Sequence, residues 1–236
     1  MKQTDQATPH ASFSTVNTTR TLSINSVLPL FGIFLPALLF CALAIDIKND
    51  VGYAFDASFL LALHAYATPL LDSIALKASA AVTVVSLLVL TLLVIRRQWY
   101  VLLFWLLSVG GSAILNIVVK HIVERHRPAL WALAAPEATF SFPSGHAMQA
   151  MTLALVLVFL LRTARHLRGI VIAATLFVAA VGVCRMYLGL HYPSDIAASL
   201  LLSLAWVTSV IMLFDQRRLL ITTGISKLPL SKYQHA

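Results

Sequence analysis

Six stretches of mostly apolar residues follow one another along the chain, with short polar segments between them. Each stretch has close to the ~20 residues that an α-helix needs to cross the hydrocarbon core of a bilayer. The stretches lie at about 26–45, 74–95, 99–119, 145–162, 169–190 and 194–214. This pattern predicts an all-α, polytopic membrane protein with six transmembrane helices.

The segment between the first two stretches, residues 53–72, has a different pattern. Asp56 and His64 lie on other sides of a helical projection than its bulky apolar residues, which are Phe55, Phe59, Leu63, Tyr66 and Leu70. This spacing predicts a helix that lies in the membrane interface and ends at Pro69. An ordinary packed connector between two spans is the alternative.

The two ends of the chain are more polar than its middle. Residues 1–25 are rich in Ser and Thr and do not have the basic start and apolar core of a signal peptide. We therefore expect a disordered cytoplasmic tail at 1–25, a six-span domain at 26–215 and a basic cytoplasmic tail at 216–236.

Composition supports the membrane class. The chain is 59% hydrophobic and only 11% charged, whereas soluble domains are roughly a quarter charged. The net charge of +8 does not require nucleic acid, because Lys and Arg accumulate in the cytoplasmic loops of membrane proteins. We expect a chain embedded in the lipid bilayer with no nucleic-acid partner. Cys41 and Cys184 have neither metal-site nor disulfide-framework spacing.

The distribution of charge predicts the orientation. With both termini in the cytoplasm, eleven of the seventeen basic residues lie on the cytoplasmic side, and seven of the nine acidic residues lie on the other side. The positive-inside rule supports this topology. Lys120, Arg125, Arg127 and Arg185 lie outside against the rule, so something other than topology must retain them.

Three short polar groups lie at that outer face, where odd-numbered spans end and even-numbered spans begin. They are KHIVERHRP at 120–128, FPSGH at 142–146 and CRMYLGLHYPSD at 184–195. Unpaired cations at a membrane edge are costly, so Lys120, Arg127 and Arg185 indicate an anionic ligand, and arginine forks suit a phosphate.

The second group, FPSGH, predicts the start of a helix. The third group predicts a histidine that is paired with a carboxylate. Ser144 would be the N-cap, and Gly145 would let backbone N–H groups approach an anion. If His191 and Asp195 share a helix face, the carboxylate could accept the imidazole N–H and leave the other nitrogen as a nucleophile. His146 would then be the general acid to the leaving group.

Each feature has a simpler explanation when it is taken alone. Lys120 could meet lipid headgroups, and Asp195 could be only the first-turn acid of the last helix. Arg125 could be an accessory phosphate contact or could only solvate its loop. Their occurrence together at one depth favours phosphoryl chemistry, and the cations among the ligand-type residues argue against a zinc site.

The three groups, Lys120-x6-Arg127-Pro128, Pro143-Ser144-Gly145-His146 and Arg185-x5-His191-x3-Asp195, resemble the three-part signature of the type 2 phosphatidic acid phosphatase superfamily. The resemblance implies a bacterial membrane lipid phosphatase of the undecaprenyl-diphosphatase or phosphatidylglycerophosphatase kind, which needs no metal or other cofactor. One position departs from the pattern: Cys184 stands where the family usually has serine, and we expect it to pack or to have only a minor role in holding the phosphate.

The resemblance also implies a role for each site residue. His191 would form a phosphohistidine and be oriented by Asp195, while His146 would protonate the leaving group. The residues that would bind the phosphoryl oxygens are Lys120, Arg127, Arg185, Ser144 and Gly145. The site would face the periplasm or cell exterior from the bacterial cytoplasmic (inner) membrane.

The substrate is left open by the sequence. Undecaprenyl diphosphate is the first candidate, and phosphatidylglycerol phosphate or phosphatidic acid is the second. Transfer of the phosphoryl group to another lipid, such as lipid A, is an alternative reaction. A lipid or ion transporter is an alternative of another class, disfavoured because the charges concentrate at one face.

Overall fold

The computed structural model describes residues 28–131 and 137–214, and these residues form seven helices without a β-strand. The predicted tails at 1–25 and 216–236 lie outside the described residues. The helices are α1 (Leu30–Lys48), α2 (Tyr53–His64), α3 (Pro69–Ile95), α4 (Trp99–Val123), α5 (Gly145–Leu160), α6 (Leu167–Tyr187) and α7 (Pro193–Leu213).

Five of these helices are long and apolar enough to cross a membrane, namely α1, α3, α4, α6 and α7. Helix α5 has 16 residues, or about 24 Å at 1.5 Å per residue, which is shorter than a typical hydrocarbon core. The all-α membrane class is therefore confirmed, while the sixth span remains a prediction.

Helix α5 packs between α6 and α7 and forms the centre of the bundle. Ala150, Leu153 and Val156 on α5 are almost fully buried. By contrast, large apolar side chains on α1 and α3 are exposed, including Leu38 and Leu88. Because its side chains are packed on several sides, helix α5 is fixed in place by its neighbours. Its N-terminus, residues 144–146, is therefore fixed relative to the surrounding loops.

Helix α2 is where the sequence prediction fails in part. The structure confirms a helix, but it ends at His64, and Pro69 begins α3 instead of ending α2. Proline suits the first turn of a helix because it lacks the N–H that would have no partner there, and Thr68 caps α3 by accepting the N–H of Leu71 at 3.3 Å. The bulky apolar side chains of this segment are largely exposed, including those of Phe55 and Tyr66. An interfacial location of α2 remains a prediction.

A close contact between α4 and α7 makes a testable prediction. A Cβ atom added to Gly111 would overlap the indole of Trp206, whereas one added to Gly110 would meet no atom of the described residues within 4 Å. Overpacking of this kind costs ~1–3 kcal/mol. We expect Gly111→Ala to lower the thermal unfolding midpoint in detergent, and Gly110→Ala, the matched control, to leave it unchanged or raise it. Equal midpoints for the two variants would contradict this packing.

Candidate active site

A cavity of about 360 Å³ lies where α4, α5 and the turn before α7 meet. Its wall contains members of all three polar sequence groups, namely Lys120, Gly145, His146 and His191. Glu137 also lines this cavity and connects it to Arg127 and Arg185 through two ion pairs. The structure thus brings together residues that are far apart in the sequence, as the motifs predict.

The cavity has a polar end and an apolar end. Beyond the charged residues its wall continues along α3 and α4, through Val82, Thr83, Ala113 and Ile117. Thr83 and Ile117 are exposed on the surface of the bundle. The cavity therefore opens sideways between α3 and α4, where an apolar ligand chain could enter.

The imidazole of His191 is buried and has a defined tautomer. Its Nδ1 lies 2.8 Å from the carbonyl oxygen of Ser141, and its Nε2 lies 3.3 Å from Nη1 of Arg127. A guanidinium can only donate, so Nε2 is the acceptor and Nδ1 carries the proton. Burial lowers the pKa of His191 to about 4, against the opposing effect of Asp195. The imidazole is therefore neutral at pH 7, with a lone pair on Nε2.

Asp195 lies beside His191, but it is not the nearest acceptor. Its Oδ2 is 3.7 Å from Nδ1 of His191, and the same oxygen accepts the N–H of Tyr192 at 2.9 Å and the hydroxyl of Ser141. The expectation that the two residues share a helix face is wrong, because α7 begins only at Pro193. Asp195 therefore caps α7 and also supports the turn that carries His191.

Glu137 bridges the two arginines of the motifs. Its carboxylate accepts from Nη2 of Arg127 at 2.7 Å and from Nη2 of Arg185. Arg127 is itself held by the carbonyl oxygens of Thr139 and Leu190, each at 2.7 Å. Although burial favours the protonated acid, the hydrogen bond and charge of Arg185 and the charge of Arg127 lower the pKa of Glu137 to about 2. An anionic group thus lies between the two guanidinium groups.

The start of α5 is packed closely against α4. Ser144 is the N-cap residue as predicted, but its hydroxyl makes no capping hydrogen bond. A Cβ atom at Gly145 would lie 3.2 Å from Oδ1 of Asn116, and Nδ2 of Asn116 donates to the carbonyl oxygen of Pro143 at 3.2 Å. Asn116 was not predicted from the sequence, although a polar amide within an apolar span is a recognisable signal.

Two buried hydrogen-bond donors at the site have no partner among the residues that the structure describes, and neither does Oε1 of Gln149, an acceptor on the cavity wall. The two donors are the hydroxyl of Ser144 and Nε of Arg185, and the two residues are 0% and 3% exposed. Buried polar groups are nearly always paired. The two donors are therefore suited to an incoming ligand with oxygen acceptors.

Lys120 and Cys184 are the remaining predicted positions. Lys120 lines the cavity and donates to the carbonyl oxygen of Phe140. Cys184 packs against a buried cluster that contains Ala75 and Leu188, in agreement with the packing role expected from the sequence. Within 28–131 and 137–214, no three His, Cys, Asp or Glu side chains are grouped closely enough to hold a metal ion.

Arg125 is the residue whose location differs most from the expectation. It pairs with the carboxylates of Asp195 and Asp56 and does not line the cavity that contains His191. The possibility that it contacts the phosphate is not supported by this geometry. Glu137 and Ser141 were also missed, because nothing in the motif spacing indicates which loop residues turn back toward His191.

A comparison with protein families identifies the chain. A family model described as the PAP2 superfamily matches residues 101–219, just over half of the chain. The chain belongs to the PAP2 superfamily. The match contains all three polar groups and every predicted site residue, so the resemblance based on the motifs is confirmed.

Curated relatives within the superfamily match the motif-containing part. Phosphatidylglycerophosphatase B of Bacillus subtilis (strain 168) is 36% identical over 114 residues, which are 46% of this chain and 55% of the relative. Decaprenylphosphoryl-5-phosphoribose phosphatase of Mycolicibacterium smegmatis is 32% identical over 108 residues, 43% of this chain and 52% of the relative. The chain thus spans about half the length of the curated relatives it matches. Both relatives are named as phosphatases.

Solved structures of the superfamily share the fold. The transmembrane PAP2 type phosphatidylglycerolphosphate phosphatase from Bacillus subtilis has a TM-score of 0.66 and 28% identity, covering 75% of this chain and 93% of that one. LpxE from Aquifex aeolicus has a TM-score of 0.58 and 23% identity, covering 67% of this chain and 95% of that one. The second likeness concerns the fold alone.

Proposed function

We propose that the protein is an integral membrane lipid phosphatase that removes phosphate from a lipid phosphate or diphosphate through a phosphohistidine. The observation that carries this proposal is the carboxylate of Glu137 between Arg127 and Arg185. It marks a position for an anion beside Nε2 of His191, which is 3.3 Å from Arg127. A phosphoryl group that replaced this carboxylate would meet both guanidinium groups and the nucleophile.

The first chemical step follows from the tautomer of His191. Nε2 attacks phosphorus, a P–N bond forms, and the P–O bond to the lipid breaks. His146, on the wall of the same cavity, gives its proton to the departing oxygen. Negative charge on the phosphoryl oxygens is stabilised by Lys120 and by the two arginines, because fixed cations in a site with little water act strongly.

The second step returns the enzyme to its first state. A water molecule gives a proton to His146 and attacks phosphorus, the P–N bond breaks, and inorganic phosphate leaves. The unpartnered hydroxyl of Ser144 and the backbone at Gly145 would donate to the phosphoryl oxygens, since the N-terminus of α5 favours an anion. Asp195 stabilises the charge that His191 gains while it carries the phosphoryl group.

The shape of the cavity supports a substrate with an apolar tail. The phosphate would occupy the end near His191, and the tail would leave between α3 and α4 past Thr83 and Ile117. The relatives named for phosphatidylglycerophosphate favour that lipid as the first substrate to test, ahead of undecaprenyl diphosphate. We place the site at the periplasmic or exterior side of the bacterial inner membrane, with six spans and both termini in the cytoplasm, because of the charge distribution.

The proposal is tested with purified protein in detergent and a panel of four lipids. Phosphate release is measured from phosphatidylglycerol phosphate, phosphatidic acid, undecaprenyl diphosphate and a lysophosphatidic acid, each with and without a chelator. We expect release from at least one lipid that is unchanged by the chelator. No release from any lipid, or release that the chelator abolishes, would contradict the proposed function.

The same assay separates hydrolysis from transfer. Labelled phosphate is followed from the donor lipid, with lipid A present as an acceptor. Label that appears as inorganic phosphate supports hydrolysis, and label that appears in the acceptor lipid identifies a phosphotransferase.

The carboxylate between the arginines makes a further prediction. Glu137→Gln removes an internal competitor for the anion position, so inorganic phosphate should inhibit about tenfold more strongly, as expected if the competing ion pairs contribute ~1.4 kcal/mol. Glu124→Gln removes the same charge from an exposed position of the preceding loop and is the matched control. An unchanged inhibition constant in Glu137→Gln would show that the carboxylate does not occupy the phosphate position.

A further inference from the structure

Arg125 binds two buried carboxylates that are far apart in the sequence. Its Nη1 donates to Oδ1 of Asp195 at 2.6 Å, and its Nη2 donates to Oδ2 of Asp56 at 2.8 Å. Asp56 on α2 and Asp195 on α7 are 3% and 0% exposed. The planar guanidinium therefore connects α2 to the first turn of α7, directly behind His191.

The surroundings of Arg125 keep it out of the active-site cavity. It lines a separate cavity of about 270 Å³ with Lys48, Tyr53 and His126, and the two cavities share no lining residue among those that the structure describes. Its guanidinium carbon lies 4.0 Å from the centre of the Tyr192 ring. Arg125 is thus fixed against the turn that carries His191 without facing the anion position.

Asp56 fixes this arrangement from the other side. Beyond its pairing with Arg125, it accepts the N–H of Ser194 at 3.2 Å and also the Ser194 hydroxyl. Nη1 of Arg125 donates to the same hydroxyl at 2.7 Å. The start of α7 is therefore held by hydrogen bonds among Asp56, Arg125 and Ser194, and Arg125 also pairs with Asp195 in its first turn.

The contacts continue from Asp195 to the histidine. Asp195 accepts the hydroxyl of Ser141, and the carbonyl oxygen of Ser141 accepts from Nδ1 of His191 at 2.8 Å. The main chain of Arg125 takes part too, because its carbonyl oxygen accepts the N–H of Ser141 at 2.8 Å. A change in the position of Arg125 would therefore move both groups near Nδ1 of His191, which are the carbonyl oxygen of Ser141 and the carboxylate of Asp195.

We propose that Arg125 is a positioning residue for His191 and that Asp56 of α2 holds it in place. This inference rests on the proposed function, because it concerns the same nucleophile. Arg125 orients Asp195 and Ser141, and these two groups orient the imidazole so that Nε2 faces the phosphoryl group. Lysine cannot replace it fully, since a single ammonium group cannot bridge two carboxylates as a planar fork does.

The test compares Arg125→Lys, Asp56→Asn and the double variant with wild type and His191→Ala in the lipid phosphatase assay. Partners that orient metal-binding side chains contribute about 10- to 100-fold, and we take the same range for partners that orient this imidazole. We expect Arg125→Lys to lower kcat by that factor while KM and the inhibition constant for inorganic phosphate stay within about twofold. Asp56→Asn should have the same pattern with a smaller loss. The loss in the double variant should be smaller than the product of the two single losses, because the residues act together.

Lys48→Gln is the matched control, because it removes an exposed positive charge from the wall of the cavity that Arg125 lines. Its kcat should equal that of wild type. Thermal unfolding midpoints are measured for every variant, and Asp56→Asn tests the proposal if Arg125→Lys does not fold.

The outcomes separate this inference from the proposed function. If wild type releases no phosphate, or releases it without His191, the proposed function fails. If wild type needs His191 but kcat in Arg125→Lys and Asp56→Asn is unchanged, the positioning role alone is wrong. The positioning role would also be wrong if KM and the inhibition constant for inorganic phosphate both rose in Arg125→Lys. That result would identify Arg125 as a phosphate contact.

Discussion

Replacing His191 by alanine should lower phosphate release by about 10⁴-fold or more, because loss of a nucleophile removes the covalent route and leaves only the binding groups. The structure supports this size of effect: the imidazole is 1% exposed, its proton is held on Nδ1 by Ser141, and burial lowers its pKa to about 4. The measurement is kcat with a lipid phosphate in detergent, together with acid-labile label on the protein after brief mixing with labelled substrate.

His126→Ala is the matched control for this substitution. His126 is an exposed histidine that directly follows Arg125 and lines the other cavity, so its loss should leave kcat unchanged. Turnover in His191→Ala that equals wild type, or protein-bound label that persists in that variant, would rule out the phosphohistidine route.

Arg185→Lys should have the second largest effect, a loss of about 10²- to 10³-fold in kcat/KM, which is typical when one donor to a developing charge is removed. Arg185 is 3% exposed, pairs with Glu137 through Nη2 and has an unpartnered Nε among the described residues. Lysine keeps the charge but loses the second donor of the fork. The inhibition constant for inorganic phosphate should rise together with the loss of kcat/KM.

Arg168→Lys is the corresponding control at the other end of α6, where the side chain is exposed. It should behave as wild type in both measurements. If Arg185→Lys changed thermal stability but not phosphate inhibition, the role of Arg185 would be limited to its ion pair with Glu137.

Hydrophobic length and local motifs were sufficient to predict most of the helical layout and the residues around the cavity. The spans near 74–95 and 99–119 correspond to α3 and α4, because in lipid a long apolar segment must satisfy its backbone groups within a helix. His146 and His191 could be placed on one cavity because consecutive spans are expected to alternate direction, which brings the start of α5 and the turn before α7 to the same end of the bundle.

The individual hydrogen-bond partners of the charged residues around the cavity could not be predicted. Arg125 lies within a motif and carries the charge that a phosphate would need, but two carboxylates about 70 positions away on either side bind it instead. Pro69 was ambiguous for a different reason: proline is unsuitable inside a helix yet favourable in its first turn. The position of Glu137 depends on the path of a loop, which no periodic pattern describes.

The sideways opening between α3 and α4 determines which substrate concentration sets the rate of the proposed reaction. A substrate that enters past Thr83 and Ile117 is supplied by diffusion within the plane of the bilayer, so its relevant concentration is its mole fraction in the membrane and not its amount per litre. The rate should therefore fall when a fixed amount of substrate is diluted with neutral lipid, even though the bulk concentration is constant. The capacity of the proposed lipid phosphatase in a cell would follow the composition of the membrane around it.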